Sequence, residues 1–144
     1  MDSLNRNRES GLDRVYKMAK KSTMIHKHGA VIIRNNEIIG EGYNHVSSYM
    51  SHRYSVHAEV AAIMSVPKRL RNRRTFEEST MLVVRICGKD HHLNMSKPCE
   101  NCRKEIEKAG IRRVFYSVDT NNTNSDSLSS QDSNSAYASS SDTM

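Results

Sequence analysis

The chain contains no run of 18 apolar residues, which excludes a transmembrane helix. Its opening residues, MDSLNRN, carry no apolar stretch of the kind found in a secretory signal, so a reducing cytoplasm is the expected compartment. Only three cysteines are present, an odd number, and Cys99 and Cys102 stand three apart. That pattern argues against a disulfide framework and for metal or redox chemistry. No internal repeat divides the chain.

The C-terminal stretch lacks what a fold needs. Residues 121–144 hold no Lys or Arg and are almost entirely Ser, Asn, Asp and Thr. Such a segment buries too little surface to offset chain entropy and reads as a disordered tail. Residues 1–8 read as a frayed end. One folded domain over 9–120 is expected, long enough for one core and one pocket. The first 120 residues carry 22 basic against 13 acidic side chains. That excess favours anionic partners, whether nucleotide, nucleic acid or acidic membrane surface, without choosing among them.

What is present begins with periodicity. Residues 9–22 place Leu12, Val15, Tyr16, Met18 and Ala19 on one helical face. "HGAVIIR" (28–34) and "EIIGEGYN" (37–44) flank Asn35-Asn36 and predict an antiparallel hairpin. Gly40 and Gly42 mark a bulge or a close backbone approach. "HAEVAAIM" (57–64) reads as a helix with Ser55 as its N-cap, stopped by Pro67. Residues 67–79 read as a loop or short irregular helix, 80–86 as a buried strand, and 93–96 as a short returning strand. The spacing predicts a helix over 98–110, with Pro98 in its first turn and Gly110 just past its end, then a last strand over 111–117. The order describes a mixed α/β domain with helices packed on a sheet.

Two short motifs carry chemistry. Cys99 and Cys102 share a face at a helix start, where thiolate is favoured. His57 adds an imidazole. Two sulfurs and one nitrogen suit a tetrahedral zinc ion with one position left for water, the catalytic rather than the structural pattern. Glu59, two residues from His57, is placed to move a proton without binding the metal. The H-x-E and P-C-x-x-C pair is the signature of zinc deaminases.

Together, "HGAVIIRNNEIIGEGYN", "HAEVAAI" and "SKPCENCRKEIEKAGIRRVFYS" resemble the cytidine and deoxycytidylate deaminase superfamily, which includes the tRNA adenosine deaminases. The resemblance covers about residues 9–117. It implies an α/β/α three-layer sandwich around a mixed sheet of about five strands, with 93–96 as the fourth strand and 111–117 as the fifth. It implies zinc on His57, Cys99 and Cys102, Glu59 as proton shuttle, Asn44 against the substrate sugar, and backbone around Ala30 and Ala58 lining the base pocket. By analogy it also implies a homo-oligomer, dimer or tetramer. The interposed "RICGKDHHLNMSK" resembles the branch with an antiparallel final pairing, the small nucleoside cytidine deaminases, which usually carry cysteine where this chain has His57.

The expected reaction is hydrolytic deamination of cytosine in cytidine, deoxycytidine or dCMP to uracil and ammonia. One alternative is the same chemistry on adenosine or cytosine in RNA or single-stranded DNA, motivated by Lys68, Arg69, Arg71, Arg73 and Arg74. Another is a non-catalytic zinc-stabilised binding module whose fourth ligand is Cys87. The bland readings are a solvated loop for the basic run and a core residue for Cys87. His45 and His52 precede His57 where a substrate loop would lie, His91 and His92 sit in the proposed hairpin, and Tyr43, Tyr49 and Tyr54 are candidates for base stacking. His26 and His28 are assigned no role.

Overall fold

The computed structural model describes residues 11–49, 52–118 and 128–129. The frayed end and most of the proposed tail lie outside them. The elements are α1 (Gly11–Lys21), β1 (Lys27–Arg34), β2 (Glu37–Tyr43), β3 (His45–Tyr49), β4 (His52–Val56), α2 (Ala58–Ser65), a 3-10 turn (Lys68–Leu70), α3 (Arg73–Glu77), β5 (Thr80–Cys87), β6 (His92–Asn94), α4 (Glu100–Ala109), β7 (Arg113–Ser117) and β8 (Leu128–Ser129).

The sheet follows the order β2-β1-β5-β7-β8, with β6 also paired to β5. It is mixed: β5 and β7 run parallel, and the other pairs are antiparallel. The middle of β1, Gly29–Ile33, is apolar throughout because both faces of the sheet are covered there. Val31, Leu82, Val84 and Ile86 pack with Val15, Met18 and Ala19 of α1. Ala30, Ile32, Met81 and Val83 pack on the other face with Ala58 and Ala62 of α2 and Ile106 of α4. Helices on both faces make the three layers that the resemblance implied.

Local chemistry explains the first hairpin. Asn35 and Asn36 both take positive φ, 54° and 64°, the conformation a tight two-residue hairpin turn requires and one that asparagine tolerates. The pairing then steps from Ile33↔Ile38 to Ile32↔Gly40, a bulge that leaves Ile39 unpaired. Gly42 has a different role. A Cβ there would lie 2.5 Å from the Ala62 nitrogen and 2.7 Å from the Ala61 Cβ, so the missing side chain lets α2 rest on β2. Gly42→Ala should destabilise the fold by about 1–3 kcal/mol, the usual penalty for overpacking against backbone. A urea midpoint identical to that of the parent would show that α2 does not sit this close.

Two expectations need correction. Ser55 does not cap the second helix, because it lies in β4. The N-cap position belongs to His57, which makes no side-chain capping bond. Residues 45–56, read as a loop before that helix, instead pair as a separate two-stranded β3–β4 sheet. The short returning strand expected over 93–96 is found as β6 (His92–Asn94), the fourth strand of this sheet in chain order. The three-residue β6 pairs only with Arg85, Ile86 and Cys87, continuing the edge of β5 on which β7 pairs with Thr80–Val83. The last expected strand is β7 (Arg113–Ser117), fifth in chain order and next to β5 in the spatial order of the sheet. The final antiparallel pairing is made by β8, with Tyr116↔Ser129 and Ser117↔Leu128, inside the segment read as tail.

The basic run is held by its own neighbourhood. Arg71 donates to the carbonyls of Met64 and Val66, the free end of α2. Arg73 and Arg112 pair with Glu77, and Arg34 and Arg74 with Glu78. Among the described residues, no helix is long and apolar enough to cross a membrane.

Candidate metal centre and cavity

Two helix starts face each other. His57 precedes α2 and Cys99 precedes α4, each at the N-cap position and each without a side-chain cap bond. Their side chains turn to one another instead. His57 Nδ1 lies 3.1 Å from Cys102 Sγ and 3.7 Å from Cys99 Sγ. All three donor atoms fall within 4.8 Å of one another. Bonds of about 2.0–2.3 Å at tetrahedral angles place zinc ligands about 3.5–3.8 Å apart, so the set fits a zinc ion.

Without a cation, the electrostatics at Cys102 oppose a thiolate. Cys102 is 2% exposed; burial first, then the neighbouring Glu59 carboxyl, pushes its thiol far above the ordinary range. A thiolate at this point needs a cation beside it. Cys87 stays out of the cluster, its sulfur accepting from Asn94 Nδ2 at 3.4 Å. It does not close a four-ligand site.

Glu59 is 5% exposed. Burial raises its carboxyl, against smaller opposing contributions from its backbone, from His57 and from Cys102. It sits at the floor of a cavity of about 640 Å³ that His57, Ala58, Cys99 and Asn44 also line. That volume is within the range of small-molecule sites, about 300–1,000 Å³. Ala30 is fully buried in the core behind this wall and does not line the cavity.

Asn44 serves the chain itself. Its Oδ1 accepts from the His28 amide at 2.8 Å, and its Nδ2 donates to the His26 carbonyl at 2.6 Å. One lone pair and one hydrogen remain for a ligand. On the opposite side, a pair of serines fixes the approach to the cysteine helix. Ser96 Oγ donates to the Val83 carbonyl at 2.9 Å and accepts from the Ser117 amide at 2.7 Å. Lys97, Pro98 and Cys99 follow from that anchor.

The remaining sequence candidates scatter. His92 pairs with Asp90, and the His91 carbonyl accepts from the Tyr16 hydroxyl. His45 bonds the Tyr43 carbonyl, Tyr43 packs beside the α1 cluster, and Tyr54 is exposed. The side chains of Tyr49 and His52 lie outside the described residues. The wall that the sequence reading missed runs from Thr23 to His28, with Val46 and Ser55 of the β3–β4 sheet and Lys97. His28 is depressed to about 4, by burial first and then by the Arg85 guanidinium. The one available signal was the two-residue spacing of His26 and His28 leading into a strand, which sets both on one side.

A family model described as the cytidine and deoxycytidylate deaminase zinc-binding region matches residues 5–118. A tRNA-specific adenosine deaminase of Buchnera aphidicola subsp. Baizongia pistaciae (strain Bp) is 35% identical over 101 residues, which are 69% of this chain and 54% of the relative. The chain thus spans about half the length of that curated relative. Among solved structures, a cytidine deaminase from Burkholderia pseudomallei superposes with a TM-score of 0.57 at 18% identity, over 83% of this chain and 89% of the other. A dCMP deaminase from the cyanophage S-TIM5, in apo form, gives 0.55 at 20% identity, over 80% and 85%. At such identities these two likenesses speak for the fold.

Proposed function

This chain belongs to the cytidine and deoxycytidylate deaminase zinc-binding family, and on that premise we propose that it hydrolyses the exocyclic amine of cytosine in a nucleoside or nucleotide, converting the base to uracil on its sugar and releasing ammonia. The observation that carries this reading is Glu59 buried in the cavity floor beside the His57–Cys99–Cys102 cluster. A zinc ion held by that cluster would supply a water acidic enough to attack near neutral pH. Glu59 takes the proton of the attacking water and passes it to the ring nitrogen next to the reacting carbon. It then moves a second proton to the amine, which leaves as ammonia while the carbonyl forms. Burial keeps Glu59 out of bulk solvent, so its proton goes to the base. Asn44 sets the α1–β1 wall through His26 and His28 and keeps one donor and one acceptor for the sugar.

A small substrate is favoured by where the basic run lies. Arg71, Arg73 and Arg74 are engaged by helix carbonyls and by Glu77 and Glu78, past the end of α2 remote from His57. They are not arrayed along the cavity as a track for a polynucleotide. A second reading, adenosine within RNA, rests on the similarity to the tRNA-specific adenosine deaminase.

The test is an ammonia-release screen of cytidine, deoxycytidine, their monophosphates, adenosine and short RNAs. Turnover of a cytosine compound at least tenfold faster than of any adenosine substrate is the expected result. Release from adenosine in RNA alone would replace the first reading with the second.

A further inference from the structure

β5 changes partner along one edge. Thr80–Val83 pair with β7, and Arg85–Cys87 pair with β6. Two serines stand at the changeover, Ser96 and Ser117, and both are buried. The Val83 carbonyl accepts from Ser96 Oγ at 2.9 Å, and the Ser117 amide donates to that same oxygen at 2.7 Å. The Arg85 amide donates to Ser117 Oγ at 3.1 Å, and Ser117 Oγ donates to the Asn94 carbonyl. The two hydroxyl oxygens lie 2.8 Å apart. The Ser96 amide donates to the Ser117 carbonyl at 2.9 Å. Side chains thus supply the ladder bonds that the strands stop making there. A hydroxyl has one hydrogen and two lone pairs. Ser96 Oγ, with its hydrogen on Val83 and its lone pairs facing Ser117, keeps nothing for a substrate.

What this junction holds is the entry to the metal cluster. Ser96 is followed by Lys97, Pro98 and Cys99. Pro98 is buried, and its ring fixes one backbone angle. The two sulfurs are not held alike. Cys102 is 2% exposed within α4. Cys99 is exposed and makes no cap bond, so its sulfur takes its place from the backbone that arrives from Ser96.

We propose that Ser96 is a positioning residue of the metal centre: its hydroxyl, gripped between Val83 and Ser117, places the Cys99 sulfur against His57 and Cys102. The proposal rests on the deaminase reading only for its effect on turnover, and its effect on the metal needs no substrate. Ser96→Ala leaves the Val83 carbonyl and the Ser117 amide buried without this partner, and buried backbone groups move to recover one. Residues 95–99 move with them. A misplacement of about 1 Å at a reacting centre costs about a hundredfold in rate.

Three measurements on the full chain test it: zinc affinity by chelator competition, the absorption spectrum of the cobalt-loaded protein, and kcat with KM on whichever substrate releases ammonia. Ser96→Ala should weaken zinc binding by about tenfold or more and dim the sulfur-to-cobalt charge-transfer band. It should lower kcat by about tenfold or more while KM stays within about threefold. Ser117→Ala keeps the amide that donates to Ser96 Oγ, so its zinc loss should be smaller, about threefold. Ser79→Ala is the control. Ser79 is fully buried, and its hydroxyl donates to the Thr75 carbonyl at 2.7 Å, but it lies between α3 and the start of β5. Its loss should lower the melting temperature of the metal-free protein and leave zinc affinity and the cobalt spectrum as in the parent. Parent-like zinc affinity and cobalt spectrum in Ser96→Ala would overturn the proposal. So would equal zinc losses in Ser96→Ala and Ser79→Ala, which would make Ser96 a general support of the fold. If Ser96→Ala does not fold, Ser117→Ala decides, and parent-like zinc affinity there overturns the proposal. Failure of the deaminase reading would show separately, as no ammonia from the parent on any substrate while the zinc and cobalt effects persist.

Discussion

Glu59→Gln should keep zinc at one per chain and cut ammonia release by about a thousandfold, within the range for loss of a positioned general acid–base group. Glutamine matches glutamate in shape, so a side chain only 5% exposed is replaced without opening a cavity. What disappears is the ability to accept a proton from the attacking water and deliver it to the base. Metal analysis and ammonia release, measured on the same sample, separate the roles. Activity within tenfold of the parent would remove Glu59 from proton transfer. Loss of zinc together with activity would make it a support of the metal site rather than a shuttle.

The second large effect is expected at Cys102. The cluster joins the starts of α2 and α4, elements whose ligands are 45 residues apart in sequence. A metal held there stabilises the folded chain by mass action, about 4 kcal/mol when free zinc is a thousand times its dissociation constant. In the parent, chelation should lower the melting temperature, and zinc should restore it. Cys102→Ala should abolish that response along with all activity, since two remaining ligands hold zinc poorly. Cys99→Ala should do the same to zinc, with less effect on the metal-free protein, because Cys99 is exposed and Cys102 is buried. Cys87→Ser, outside the cluster, should leave zinc binding intact. A zinc-dependent melting shift surviving in Cys102→Ala would place the metal elsewhere.

Much of the fold follows from short-range patterns. Asn35-Asn36 between two apolar runs specified a hairpin because the conformation of those two residues alone decides the turn. Gly110 ended α4 with a φ of 115°, a conformation few other residues adopt. His57, Glu59, Cys99 and Cys102 were recognisable because zinc chemistry demands those atoms and a helix start supplies their spacing. The β3–β4 sheet was not recognisable. "HVSSY" and "HRYSV" are mostly polar and lack the alternation that a half-buried strand shows. The β5–β6 hairpin was legible, because Gly88, Lys89 and Asp90 form a turn signal between two strand-like runs. The basic run was open to two readings, a solvated loop or a grip on a phosphate backbone, and the ion pairs of Arg73 with Glu77 and Arg74 with Glu78 show only in the fold.

By itself the sequence determined the class of metal, the acid beside it and the alternation of apolar runs that makes a covered sheet. These depend on atom types and on repeats of two or about four residues. Only the tertiary structure decided that Cys87 stands apart from the cluster, that Asn44 holds the His26–His28 wall, and that Arg85 reaches His26 while its Nε stays buried without a partner. Those facts depend on which residues from distant parts of the chain become neighbours, and no local pattern encodes the distance between a strand and the loop folded over it.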